Sequence, residues 1–171
     1  MNDEIGSFLQ GTIPLDVMLL VAVYLTLSHG SGPSDKRARY RLIGLFAAAI
    51  VVQGFHFAEE WMTGFNVLFP EMLGLPPWSV ALWAGFNISW IAIWCVTILG
   101  LLRPWRPALF PVWFLAVACL VNGIAHPLLA LAAGGYFPGL WTSPFAGLVG
   151  LVLLRRLARF TGSGVAVAHV G

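Results

Sequence analysis

Charge is what this sequence has least of. Of its 171 residues only 9% are Asp, Glu, Lys or Arg, against 59% hydrophobic, and the mean hydropathy is +0.86. A soluble domain carries about a quarter charged residues, so the composition excludes an ordinary water-soluble globule and implies an integral membrane protein. Short alternating apolar and polar segments are also lacking, which excludes a transmembrane barrel. A bundle of helices remains, because each membrane helix satisfies its own backbone hydrogen bonds. Cysteine is scarce too: Cys95 and Cys119 both lie inside apolar runs and offer neither a disulfide framework nor a paired-cysteine metal motif. No internal repeat is present, so an inverted-repeat transporter has no support. The basic residues are missing from the N-terminus and from two of the connections, and those present cluster at span ends. They form no groove or known module, which excludes nucleic acid as a partner.

What is present is apolar runs long enough to span a bilayer, which takes about 20 residues per helix. Five are predicted, over 12–28, 42–62, 78–102, 108–133 and 140–154. The fold class is therefore all-α, a polytopic membrane bundle of about five transmembrane helices. The fifth run is the shortest, and Arg155 and Arg156 extend it by snorkelling. Lys36, Arg37, Arg39 and Arg41 share one loop, Arg103 and Arg106 a second, and Arg155, Arg156 and Arg159 the C-terminal end. The positive-inside rule makes these segments cytoplasmic, with the N-terminus out and the C-terminus in. Residues 1–160 form one bundle domain, and 161–171 are expected to be a disordered cytoplasmic tail. The connection over 63–77 keeps Val67, Leu68 and Phe69, so it is expected at the interface or dipping back into the protein. The N-terminus lacks a basic n-region, so the first span should be retained; a bacterial inner membrane fits, with the lipid bilayer as partner.

Two polar interruptions carry the functional argument. His56, Glu59 and Glu60 break the second run, and Asn122 and His126 break the fourth. Ionisable groups inside a membrane are costly and mark functional sites. At about 100° per residue, Gln53, His56 and Glu60 share one face, with Glu59 about 60° to the other side of His56. His56 lies about 20 Å into the second span and His126 about 27 Å into the fourth, while Asn87 and Asp16 fall near the same level. Four helices are thus expected to converge in the outer half of the bilayer. Imidazole and carboxylate at this spacing resemble helix-borne ligand sets of zinc and di-iron proteins. His56, Glu59, Glu60 and His126 are the candidate ligands, for a divalent metal such as zinc, iron or manganese rather than copper(I). Glu59 is also a candidate general base, and Asn122 a weak ligand or a group orienting His126. Plainer roles stand beside these: Glu59 and Glu60 snorkelling at a helix end, His126, Asn87 and Asn122 as interhelical hydrogen-bonding groups, and Asp16 as a helix-start carboxylate. Trp83, Trp90 and Trp94 are read as packing or lipid-facing by default, with a substrate-lining wall as the alternative. Tyr136 is either an interfacial anchor or a member of the polar layer.

His56-Phe-Ala-Glu59-Glu60, then Asn122-Gly-Ile-Ala-His126-Pro127, then Tyr136-Phe-Pro138-Gly139 resembles the HXXEE-domain family of small integral membrane proteins. The resemblance runs from the second span to the fifth. It implies an integral membrane protein with a polar or catalytic site that includes these positions, and it supplies no substrate. The expectation is a metal-dependent membrane enzyme, hydrolase or oxidoreductase, acting on a lipidic or hydrophobic substrate with Glu59, Asn122 and Tyr136 assisting the chemistry. A proton- or metal-coupled carrier and a non-catalytic structural bundle are the alternatives.

Overall fold

The apolar runs fold as α1 (Asn2–Gly11), α2 (Ile13–Ser28), α3 (Lys36–Met62), α4 (Phe65–Met72), α5 (Val80–Leu101), α6 (Leu109–Ala132) and α7 (Ser143–Gly162), with a 3-10 turn at Arg106–Ala108 before α6. The computed structural model describes residues 2–30, 35–103 and 105–162, and no strand occurs among them. Capping explains two of the starts. The Asp35 carboxylate accepts from Ala38 N at 2.8 Å, and the Ser79 hydroxyl accepts from Leu82 N at 3.3 Å. Each satisfies an amide that a helix's first turn leaves open.

Lys36–Met62, Val80–Leu101 and Arg106–Ala132 are long and apolar enough to cross a membrane. The expected first span, 12–28, is α2, whose 16 residues are too few by themselves; with α1, bent from it by 49°, it makes a fourth candidate if the pair counts as one. The break falls where Pro14 enters the first turn of α2, a position that suits proline because its missing N–H is not needed there. The fifth run does not reach the same measure. Arg155, Arg156 and Arg159 occupy the end of α7 and leave residues 143–154 as its apolar part, roughly 18 Å against a hydrocarbon core of about 30 Å. By length and apolarity the five expected spans thus become three, or four with the bent pair. α7 continues through Gly162, with Thr161 buried and its hydroxyl donating to Leu157 O at 2.7 Å. Residues 163–171 of the expected tail lie outside the described residues.

α6 is the central helix, burying 50% of its most apolar window against 33% for α3 and 22% for α5. Its neighbour α7 meets it backbone to backbone. A Cβ on Gly123 would stand 2.5 Å from Gly147 Cα, and one on Gly150 would stand 2.6 Å from Leu120 N. Small residues permit this approach where apolar side chains gain little over lipid. Gly123→Ala is therefore expected to cost about 1–3 kcal/mol through overpacking, read as a thermal midpoint lowered by several degrees in detergent. Gly44→Ala on α3, with nothing within 4 Å of its Cβ, should leave the midpoint unchanged or raise it.

The loops bearing basic residues are drawn together at one end of the bundle. Arg106 Nη2 donates to the carbonyls of Thr26, Leu27 and His29 at 3.1, 2.7 and 3.0 Å, and Arg39 Nη1 donates to Leu102 O at 3.1 Å. A cation suits the carbonyl-rich end of α2. At the opposite end the connection over 63–79 folds back on itself through α4, as Asn66 Nδ2 donates to Trp78 O and Trp78 N to Asn66 O. The polar residues of α3 and α6 face each other at that end.

Candidate metal centre

On α3 the buried face carries Gln53, His56 and Glu60, three and four residues apart, and α6 presents His126 to it. His56 is fully buried and Glu60 and His126 are 5% and 3% exposed, deep enough that each polar atom needs a partner. His56 Nε2 and His126 Nε2 lie 3.1 Å apart, with Glu60 Oε1 3.3 Å from the latter and 3.5 Å from the former. Phe65 and Phe137 pack over His126 with centroids at 5.7 and 6.5 Å, closing the triad from the end of the bundle.

The outer hydrogen bonds decide where the imidazole protons sit. His126 Nδ1 faces the Pro138 carbonyl at 2.6 Å. A carbonyl only accepts, so Nδ1 carries the proton and Nε2 keeps its lone pair. His56 Nδ1 faces Thr142 Oγ1 at 2.7 Å, and that hydroxyl is spent on Glu59 Oε2 at 2.5 Å. Thr142 must then accept from His56, which leaves His56 Nε2 bare as well. With both rings neutral, three lone pairs converge, an arrangement that suits a cation. Donor atoms on a tetrahedral zinc at about 2.0–2.1 Å stand about 3.3 Å apart; the observed edges bracket that length. Among the described residues, His56, Glu60 and His126 form the group that could hold a metal ion.

Glu59 takes a different place from that expected of a ligand. Its carboxylate accepts from Tyr136 Oη, Trp141 N, Thr142 N and Thr142 Oγ1, at 2.7, 3.0, 2.8 and 2.5 Å. Four donors saturate it as an anion at the start of α7, where a helix favours negative charge. It is neither turned to the triad nor free to take a proton from bound water. Tyr136 reaches the polar layer only through this carboxylate; burial and that hydrogen bond both push its phenol above its ordinary value, so it stays a donor. Asn122 makes no hydrogen bond to a described residue; the Pro138 carbonyl, not Asn122, orients His126. Asp16 is exposed on α2 and lies off the layer, so α3, α6 and the turn before α7 build the site.

Thr142 was missed from sequence, although Thr142-Ser143-Pro144 has the composition of a helix start. Nothing local says that its hydroxyl bridges two residues on α3. Removing groups that orient metal-bound histidines costs about 10–100-fold in affinity. Thr142→Val should therefore weaken metal binding by that factor, whereas Thr142→Ser should restore most of it in the same titration.

Glu60 and His126 also line a cavity of ≈ 520 Å³ between α2, α3, α5 and α6. Trp83, Trp90 and Trp94 turn into it, so the α5 stripe is a wall and not a lipid-facing band. Asn87 and Asn122 line it too, and Asn87 commits only its amide nitrogen, to Trp83 O at 2.9 Å. Cys119 donates to Gln53 Oε1 at 3.2 Å and is not part of the triad.

The model of a family described as "protein of unknown function with HXXEE motif" matches residues 36–153. No curated protein and no solved structure matches the chain.

Proposed function

The chain belongs to the HXXEE family, and from that premise we propose a single-metal membrane enzyme that acts on a lipidic substrate at His56, Glu60 and His126. The observation that carries this reading is the convergence of two ring nitrogens and a carboxylate oxygen, at 3.1–3.5 Å, in a buried site beside an aromatic cavity. Two imidazoles and one carboxylate suit zinc, iron(II) or manganese, and leave positions open for water, substrate or dioxygen. Zinc would supply a hydroxide nucleophile at neutral pH, and iron(II) would supply oxygen chemistry. Glu60 is used as a ligand and Glu59 holds the turn before α7. Hydrolysis would thus rely on metal-bound hydroxide, with Asn122 free to hydrogen-bond the substrate. The motif reads as divided labour: His56 and the second glutamate bind, and the first glutamate fixes the turn that orients the histidines.

The positive-inside rule assigns the basic end to the cytoplasm, which puts the triad in the outer half of the bilayer with the N-terminus outside. The test is turnover in nanodiscs loaded separately with zinc, iron(II) or manganese, using long-chain esters, amides and, for iron, hydrocarbons with dioxygen. Product that needs Glu60 and His126 is expected with one metal. Metal bound stoichiometrically without product from any class would contradict an enzyme. Proton flux in proteoliposomes that requires Glu60 would favour the carrier reading, since one proton also fits between two imidazole nitrogens 3.1 Å apart.

A further inference from the structure

The cavity is closed at the triad's end of the bundle. α1 is pinned across it: Ser7 Oγ donates to Pro76 O at 2.6 Å, Trp78 Nε1 donates to Ser7 Oγ at 3.0 Å, and Glu4 accepts from Ser79 N at 2.7 Å. Phe8 adds edge contacts to Trp78 and Phe86 at 5.1 and 5.3 Å. The sides are different. Leu15 and Met18 of α2 and Phe86 and Trp90 of α5 all line the cavity, yet α2 packs on α6 and α5 on α3 and α6, with at most marginal contact between α2 and α5. In a bilayer a slot between two apolar helices would face lipid tails, not water.

The lining also restricts the head group. Among the described residues no lysine or arginine borders the cavity; the charged or titratable groups there are Glu60 and His126, and the other polar side chains are Thr12, Gln53, Asn87 and Asn122. No side chain there matches a phosphate, which is ordinarily held by arginine or lysine. Amide groups and a metal's open positions suit a hydroxyl or carbonyl oxygen instead. The volume of ≈ 520 Å³ falls within that of a site for one small ligand, about 300–1,000 Å³, and is short of two acyl chains.

We propose that a single-chain lipid with a small, phosphate-free oxygen head reaches the triad sideways from the bilayer through the slot between α2 and α5. The hydrocarbon lies along the aromatic wall of α5, and the oxygen lies among Asn87, Asn122 and the Glu60–His126 edge. The proposal rests on the metal-enzyme reading only for which end of the lipid reacts, so its test does not use turnover.

The probe is a long-chain alcohol carrying a diazirine on its tail, irradiated with the protein in phosphatidylcholine nanodiscs, with and without chelator. Adducts are expected on Met18, Phe86 and Trp90, in both metal-loaded and chelated protein. An unlabelled long-chain alcohol should reduce them at least tenfold, while a lysophosphatidic acid at equal concentration should not. Leu15→Trp, which narrows the slot away from the triad, should reduce labelling about tenfold with metal content unchanged. Adducts confined to outward residues such as Leu20 and Tyr24, or equal competition by the phosphate lipid, would overturn the proposal. The expected labelling in protein that takes up none of the offered metals would instead count against the metal reading alone.

Discussion

Glu60→Gln should abolish metal-dependent stabilisation while leaving the metal-free protein at least as stable as wild type. In the metal-free wild type with both rings neutral, Glu60 Oε1 faces the Nε2 atoms of His126 and His56 at 3.3 and 3.5 Å, three acceptors without a donor. Glutamine is nearly isosteric and brings an N–H₂ to the same place, so the triad can satisfy itself without a cation. With metal the order reverses. A four-ligand zinc site is worth about 10–16 kcal/mol, so one ligand carries roughly 3 kcal/mol and its loss weakens binding about 100-fold or more. Wild type at 100 times its dissociation constant gains about 2.7 kcal/mol, or roughly 5–10 °C at this chain length. Thermal unfolding in detergent, with and without zinc, iron(II) or manganese, reads both halves. A metal-induced rise kept by the variant would remove Glu60 from the site; an unchanged wild type with all three metals would remove the metal.

Gly139→Ala is expected to be the most damaging substitution that leaves every ligand in place. Gly139 has φ of +85°, which costs an L-residue about 1–2 kcal/mol. Its position is also fully occupied on one side: a Cβ there would stand 2.5 and 2.6 Å from His126 Nδ1 and Cε1 and 2.8 Å from His56 Cε1. The rings cannot retreat without breaking the bonds to Pro138 and Thr142 that fix their protons. Overpacking adds about 1–3 kcal/mol, for a total of roughly 2–5 kcal/mol, and metal affinity should fall by more than the Thr142→Val change produces. Gly134→Ala separates the two causes. It has φ of +72° with nothing within 4 Å, so it should lose only the backbone part and keep its metal. Circular dichroism melts and metal titration on the pair give the comparison.

How much of this was legible in the sequence depends on whether a feature is axial or azimuthal. Apolar runs and helical rise set the elements, and the axial estimate that His56 and His126 lie near one level agrees with their 3.1 Å approach. Which way a side chain turns about its helix was harder. Asp16 was placed at a plausible level, but α2 turns it to the surface. Glu59 and Glu60 are neighbours separated by about 100°, and only the packing of α6 on one side and α7 on the other assigns one to the triad and one to the turn. Trp83 and Trp94 read as default packing or lipid-facing residues because nothing in α5 alone reveals that α2 stands off and leaves a cavity. Thr142 acts on His56 across 86 residues of chain, a pairing created by the packing of α7 on α3. The run over 12–28 starts at the bend, so α1 ahead of it was not read as part of the span.

The central claim is that one metal ion sits between His56, Glu60 and His126. X-ray absorption at the metal edge of protein reconstituted with one equivalent of zinc tests it most directly. The account predicts two imidazoles and light oxygen or nitrogen donors at about 2.0–2.1 Å, with one imidazole's scattering lost in His126→Ala. A sulfur shell from Cys119, a histidine-free shell of oxygen donors, or zinc that washes away from the wild type would contradict it.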